Sequence, residues 1–124
     1  MKELTKAEEM VMLVLWELGE GTIWGILERI KMKPKPVYNT ISTFIRILEY
    51  KGFVKHRNLN NRTYMYSPAI TKEEYQRYIT TRFVSLYFNN SMKEAVAFFA
   101  KELSDVEKKQ LINAMNSASL RNKE

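Results

Sequence analysis

The stretch Lys33-Pro34-Lys35-Pro36-Val37-Tyr38-Asn39-Thr40-Ile41-Ser42-Thr43-Phe44-Ile45-Arg46-Ile47-Leu48-Glu49-Tyr50-Lys51-Gly52 puts two different faces on one predicted helix. Its prolines interrupt whatever precedes them, because proline lacks an amide donor and restricts its neighbour. Pro36 suits the first position of a new helix. From there Ile41, Phe44, Ile45 and Leu48 recur at helical spacing as an apolar stripe that stops at Lys51-Gly52. The opposite face shows Tyr38, Asn39, Ser42, Thr43 and Arg46, almost all polar and without an acid. A helix anchored by one face and armed with polar groups on the other suits the major groove, which is about 12 Å wide and admits one α-helix. Asn39 can bond adenine in bidentate fashion. Thr40, Ser42 and Thr43 can reach bases or phosphates, and Arg46 suits phosphate or guanine. Lys33 and Lys35 stand at the helix entry, where the dipole also favours phosphate.

Working outward, Thr22 can cap a short helix from Ile23 to about Ile30, with Ile23, Ile26, Leu27 and Ile30 inward. Downstream, two β-rich runs, Phe53 to Arg57 and Thr63 to Tyr66, flank the turn-forming segment Asn58-Leu59-Asn60-Asn61-Arg62, and Pro68 closes the pair. The hairpin is basic, with Lys55, Arg57 and Arg62 along it and Asn60 and Asn61 at its tip. Two helices, a tight turn and a hairpin over Thr22–Tyr66 predict a winged helix-turn-helix that takes double-stranded DNA. Charge agrees. Between Arg29 and Arg62 nine basic residues face the single acid Glu49, while the whole 124-residue chain carries +6. A concentrated cationic block of that kind fits a phosphate backbone.

Helix starts are legible from capping boxes, Ser or Thr followed three residues later by Glu, at Thr5/Glu8, Thr71/Glu74, Ser91/Glu94 and Ser104/Glu107. Each opens an apolar series. The chain therefore reads as mainly α, a winged helix-turn-helix domain over residues 1–70 and a helical domain over 71–124, with a frayed tail at Arg121–Glu124. Trp16 and Trp24 are expected in the core, and Glu8, Glu9 and Glu17 on an outward helix face. The second half bears Tyr75, Tyr78, Ile79, Phe83, Leu86, Phe98, Phe99, Leu111 and Met115, more apolar surface than three short helices bury alone. Pairing with a twin hides it, so a homodimer is expected, with a pseudo-palindromic operator to match its two-fold axis.

Other chemistry finds little material. There is no cysteine, and His56 is the only histidine, so neither a metal site nor a cofactor is expected. No carboxylate pair converges with a base and no glycine-rich phosphate loop occurs, so an enzyme is not expected. No apolar run approaches the roughly 20 residues needed to span a bilayer. A cytoplasmic location without lipid contact is the expectation. The alternative from another class is a protein-interaction adaptor on a winged-helix scaffold that has lost DNA binding.

Several segments carry a family resemblance. Ala7-Glu8-Glu9-Met10-Val11-Met12-Leu13-Val14-Leu15-Trp16, then Thr40-Ile41-Ser42-Thr43-Phe44-Ile45-Arg46-Ile47-Leu48 with Lys51-Gly52-Phe53-Val54, and finally Tyr64-Met65-Tyr66-Ser67-Pro68 occur in this order. Together they resemble the penicillinase-repressor (BlaI/MecI/CopY) family. The resemblance implies a dimeric repressor with a C-terminal helical dimerisation domain, and carries DNA contact to Thr40, Ser42 and Thr43. It also implies, as a further partner, the membrane sensor and protease system that cleaves many relatives at an Asn-Phe bond. This chain has no Asn-Phe step; its corresponding segment reads Phe88-Asn89-Asn90-Ser91-Met92. Ile47 stands where relatives commonly carry Arg, and Arg46 precedes it. Copper-responsive relatives use a cysteine cluster, which is absent here.

Overall fold

The computed structural model describes residues 1–123, with side chains to residue 119. The expectation of a frayed tail at Arg121–Glu124 falls on side chains, and on a last residue, outside that range. The element order is α1 (Lys6–Leu18), α2 (Ile23–Arg29), α3 (Tyr38–Tyr50), β1 (Val54–Asn60), β2 (Thr63–Pro68), α4 (Lys72–Tyr87), α5 (Met92–Ala100) and α6 (Asp105–Lys123). Contacts divide the chain into two compact units, residues 1–79 and 80–124.

In the first unit α1 starts as its capping box dictates: the Glu8 amide donates to Thr5 Oγ1 (3.2 Å), and the Thr5 amide donates to Glu8 Oε1 (2.8 Å). The helix ends at Gly19, whose φ of +80° is a left-handed cap that favours glycine. α2 is capped by Thr22. Helix α3 begins at Tyr38 rather than at Pro36, two residues later than expected; Val37 is extended and caps without a side-chain bond. Val11, Met12, Leu15, Ile26, Ile41, Ile45, Leu48 and Phe53 form the centre of the core.

β1 and β2 pair antiparallel from Val54↔Pro68 to Asn60↔Thr63, with an irregularity between Asn58 and Asn60. The wing is therefore longer than the sequence predicts. What looked like a five-residue loop is mostly strand, because the Asn60 side chain closes the tip itself. Its Oδ1 accepts from the amides of Arg62 and Thr63, both at 3.0 Å. At the base, the Gly21 and Tyr66 amides exchange backbone hydrogen bonds of 2.8 Å, tying the wing to the start of α2.

Two expectations about this core are corrected. Glu8 is buried rather than outward: Lys51 Nζ donates to both its carboxylate oxygens at 2.8 and 2.9 Å. Burial by itself raises the Glu8 pKa, but the bonds from Lys51 and Thr5 outweigh it and hold the carboxyl below its ordinary value. Tyr75, expected at a dimer interface, instead plugs the first unit. It lies 5.6 Å from Phe53 and 5.9 Å from Trp16 between ring centroids, and its hydroxyl accepts from the Leu4 amide at 2.9 Å. Tyr78 and Ile79 pack half-buried against the same core. This is why the first unit runs past residue 70.

The second unit is built differently. The box at Ser104 forms in full, its hydroxyl accepting from the Glu107 amide (3.2 Å) and its amide donating to Glu107 Oε1 (3.0 Å). Ser91 supplies only half of one: its hydroxyl accepts from the Glu94 amide (3.1 Å) while its own amide donates to the Phe88 carbonyl. Among its described residues only Val84 and Ala95 are buried hydrophobics. Phe83, Phe88, Phe98 and Phe99 touch one another, with centroids 5.6–6.4 Å apart, yet Phe98 and Phe99 stay half exposed. Leu86, Ile112 and Met115 are exposed as well.

Candidate nucleic-acid interface

The apolar stripe of α3 is buried, so the rest of the helix faces outward beside the wing. Between the two runs a cleft of about 340 Å³, lined by Trp24, Tyr38, Asn39, Arg46, Arg62 and Tyr64 among others. Asn39 is exposed and its side chain makes no hydrogen bond among the described residues, which leaves its amide oxygen and nitrogen open to a base edge. Arg46 is exposed, with one guanidinium nitrogen donating to Ser42 Oγ at 3.3 Å. The Thr43 hydroxyl donates to the Asn39 carbonyl at 2.9 Å, leaving its lone pairs and methyl outward. Thr40 is half-buried.

Ser42 does not belong to the exposed set. It is buried, next to Ile41 and one turn from Ile45, at the floor of the same cleft, where its hydroxyl accepts from Arg46. Lys33 and Lys35 are exposed in the segment leading into α3, and Lys55, Asn61 and Arg62 are exposed on the wing. Among the described residues none of these four cations has a carboxylate partner. Three other cations of the basic block are engaged: Lys51 with Glu8, Arg57 with Glu20 at 3.1 Å, and Arg29 with Glu17 at 3.8 Å. Both arginine pairs are exposed, and such surface pairs hold weakly, whereas the Lys51 pair is buried on the Glu8 side. Asn60 is exposed, but its side-chain oxygen is committed to the wing tip.

One aromatic departs from its expected place, and another stands exposed near it. Trp24 was expected in the core but is exposed, with its ring against Tyr38. Tyr64 is exposed on the wing, edge-on to His56, which itself contacts Glu49. The signal for Trp24 was its spacing: Ile23, Ile26, Leu27 and Ile30 already complete the inward stripe of α2, and residue 24 falls beside it.

A second cavity of the first unit, about 680 Å³, lies at the wing base and is lined by Leu13, Trp16, Glu17, Lys55, Pro68 and Lys72 among others. No described residue there pairs a nucleophile with a base, as hydrolytic or transfer chemistry requires.

Comparison with known proteins agrees with this geometry. The family model for the penicillinase repressor matches residues 4–117. The methicillin resistance regulatory protein MecI of Staphylococcus aureus is 26% identical over 116 residues, covering 92% of this chain and 94% of its own. The same protein from Mammaliicoccus sciuri is similar to the same extent. Among solved structures, the DNA-binding domain of the repressor BlaI superposes with a TM-score of 0.51 at 26% identity, covering 60% of this chain and 94% of that one. The YusO protein from Bacillus subtilis, at 18% identity and a TM-score of 0.51 over 94% of this chain and 75% of its own, shares the fold. No described helix is long and apolar enough to cross a membrane. The chain is a winged-helix protein that belongs to the penicillinase repressor family, whose members are transcriptional repressors and not enzymes.

Proposed function

We propose that this protein represses transcription by seating α3 in the major groove of an operator, with the wing on the adjacent backbone, as a homodimer on a pseudo-palindromic site. The observation that carries the reading is the cleft itself. Asn39, Arg46 and Arg62 line it, while Lys33 and Lys35 are exposed just before α3 and Lys55 is exposed at the wing base. Among the described residues the four cations Lys33, Lys35, Lys55 and Arg62 have no acidic partner. In this reading Asn39 and Arg46 read bases, Thr40, Thr43 and the four cations hold phosphates, and Arg57 joins them by leaving Glu20. Tyr38 and Asn61 border the contact.

The homodimer rests on the second unit. Phe83, Leu86, Phe98, Phe99, Leu111 and Met115 leave an apolar surface there that its own helices do not cover. An apolar groove of about 440 Å³, lined by Val96, Phe99, Ala100, Leu103 and Leu111 with Glu107 and Gln110, adds a recess for a partner side chain. A membrane sensor and protease system joins the partners on the family likeness alone.

The test is titration of labelled duplexes selected by the protein from a random pool. A selected duplex binds at least about a thousandfold more tightly than random DNA. Its logarithmic affinity falls with logarithmic salt by about 0.9 per neutralised phosphate. Binding without sequence preference, or without a salt slope, removes the proposal. Recovery of a stable protein partner indifferent to nuclease then supports the adaptor instead.

A further inference from the structure

Trp24 is 64% exposed, an unusual setting for the side chain with the largest apolar area. It is the second residue of α2, and its ring rests on that of Tyr38, the first residue of α3, with centroids 4.7 Å apart. Each ring restrains the other, so the pair is a held surface rather than a swinging side chain. It lies in the cleft that also contains Asn39, Arg46 and Arg62.

Such a ledge, small, apolar and ringed by polar and cationic groups, is too limited for a protein interface, which buries about 800 Å² per partner. A duplex offers one small apolar group at its major-groove edge, the thymine 5-methyl. The N-terminal residues of a reading helix are the ones that meet base edges, and Tyr38 opens that helix. We infer that the Trp24–Tyr38 pair is a thymine-reading ledge. It packs on the methyl of one thymine in each half-site and adds a T·A preference at a position Asn39 and Arg46 do not read. The inference rests on the DNA-binding reading and deepens it.

The experiment uses the duplex that the wild-type protein selects, with each thymine replaced in turn by deoxyuridine. That change keeps the hydrogen-bonding edge and removes only the methyl. In each half-site one replacement weakens wild-type binding about fourfold, the effect of withdrawing one buried methyl-sized group. Trp24→Ala, whose unfolding midpoint stays at the wild-type value because the side chain is exposed, binds the thymine and uracil duplexes equally; Trp24→Phe keeps part of the difference. A wild-type protein that selects a duplex but is indifferent to every uracil overturns the ledge alone. So does a Trp24→Ala protein that retains the full discrimination. A wild-type protein that selects no duplex overturns the DNA-binding reading and the ledge together.

Discussion

Phe53 and Phe99 place one side chain in two opposite settings. Phe53 is wholly enclosed in the first unit, under Tyr75 and the base of the wing, whereas Phe99 in the second unit is half exposed amid other phenylalanines. The first unit has the faces of three helices, a hairpin base and the start of α4 to close around its aromatics. The second unit has three helix segments and encloses little more than Val84 and Ala95. The difference shows which part of the molecule is finished by its own chain. A self-sufficient unit holds α3 in place for the proposed reading of DNA, and the unfinished one is where the proposed second copy would pair.

The largest expected effect tests the closed side. Tyr75→Ala removes a buried aromatic and its hydrogen bond to Leu4, and should destabilise the first unit by about 4 kcal/mol in urea unfolding followed by tryptophan fluorescence. Both tryptophans, Trp16 and Trp24, lie in that unit. Phe99→Ala, by contrast, should move the same transition by less than about 0.5 kcal/mol, as surface substitutions do. Equal losses from the two would erase the contrast.

Next comes the buried ion pair beneath the end of α3. Lys51→Met leaves the Glu8 carboxylate buried without its main partner and should cost about 3 kcal/mol at neutral pH. Glu8 in the folded chain sits below its ordinary value of 4.5. The pair's contribution is therefore complete above that value and is lost as pH falls below it, through the folded pKa. The gap between wild type and Lys51→Met should accordingly narrow on acidification below pH 4.5, read as urea midpoints across a pH series.

The open side is tested by Phe98→Asp combined with Phe99→Asp. Charge on that face should yield a monomer in sedimentation equilibrium and lower operator affinity by about a hundredfold through lost bivalency, with the tryptophan-monitored transition unchanged. Arg46→Ala should have the smallest effect, about tenfold weaker operator binding with unchanged stability. A loss of stability instead would mean that its bond to Ser42 holds the fold rather than awaiting a base.

The contrast also marks what could be read from residues alone. Capping boxes and apolar periodicity specified the helix starts at Lys6, Lys72, Met92 and Asp105 and the order of elements, because both signals are local. The start of α3 was misplaced by two residues since Pro36 is compatible with helix but Val37 stays extended. The wing was underestimated because Asn58 and Asn60 are turn formers by type, yet pair as strand once Asn60 closes its own tip. Glu8 misled by its company of acids, although its spacing of three, four and seven from Val11, Met12 and Leu15 already put it on the buried stripe. Ser42 and Trp24 exchange their expected places, which depends on how helices pack and not on composition. Tyr75 goes to the first unit because Leu4 and Phe53, distant in sequence, converge on it.

Hydroxyl-radical footprinting of the wild-type protein on its selected duplex bears most directly on the central claim that two closed reading units act through one shared helical base. Two protected patches related by a dyad are predicted, their centres separated by about 34 Å of duplex or a whole multiple of it. A single patch without a dyad, or uniform protection with no patch, would contradict it.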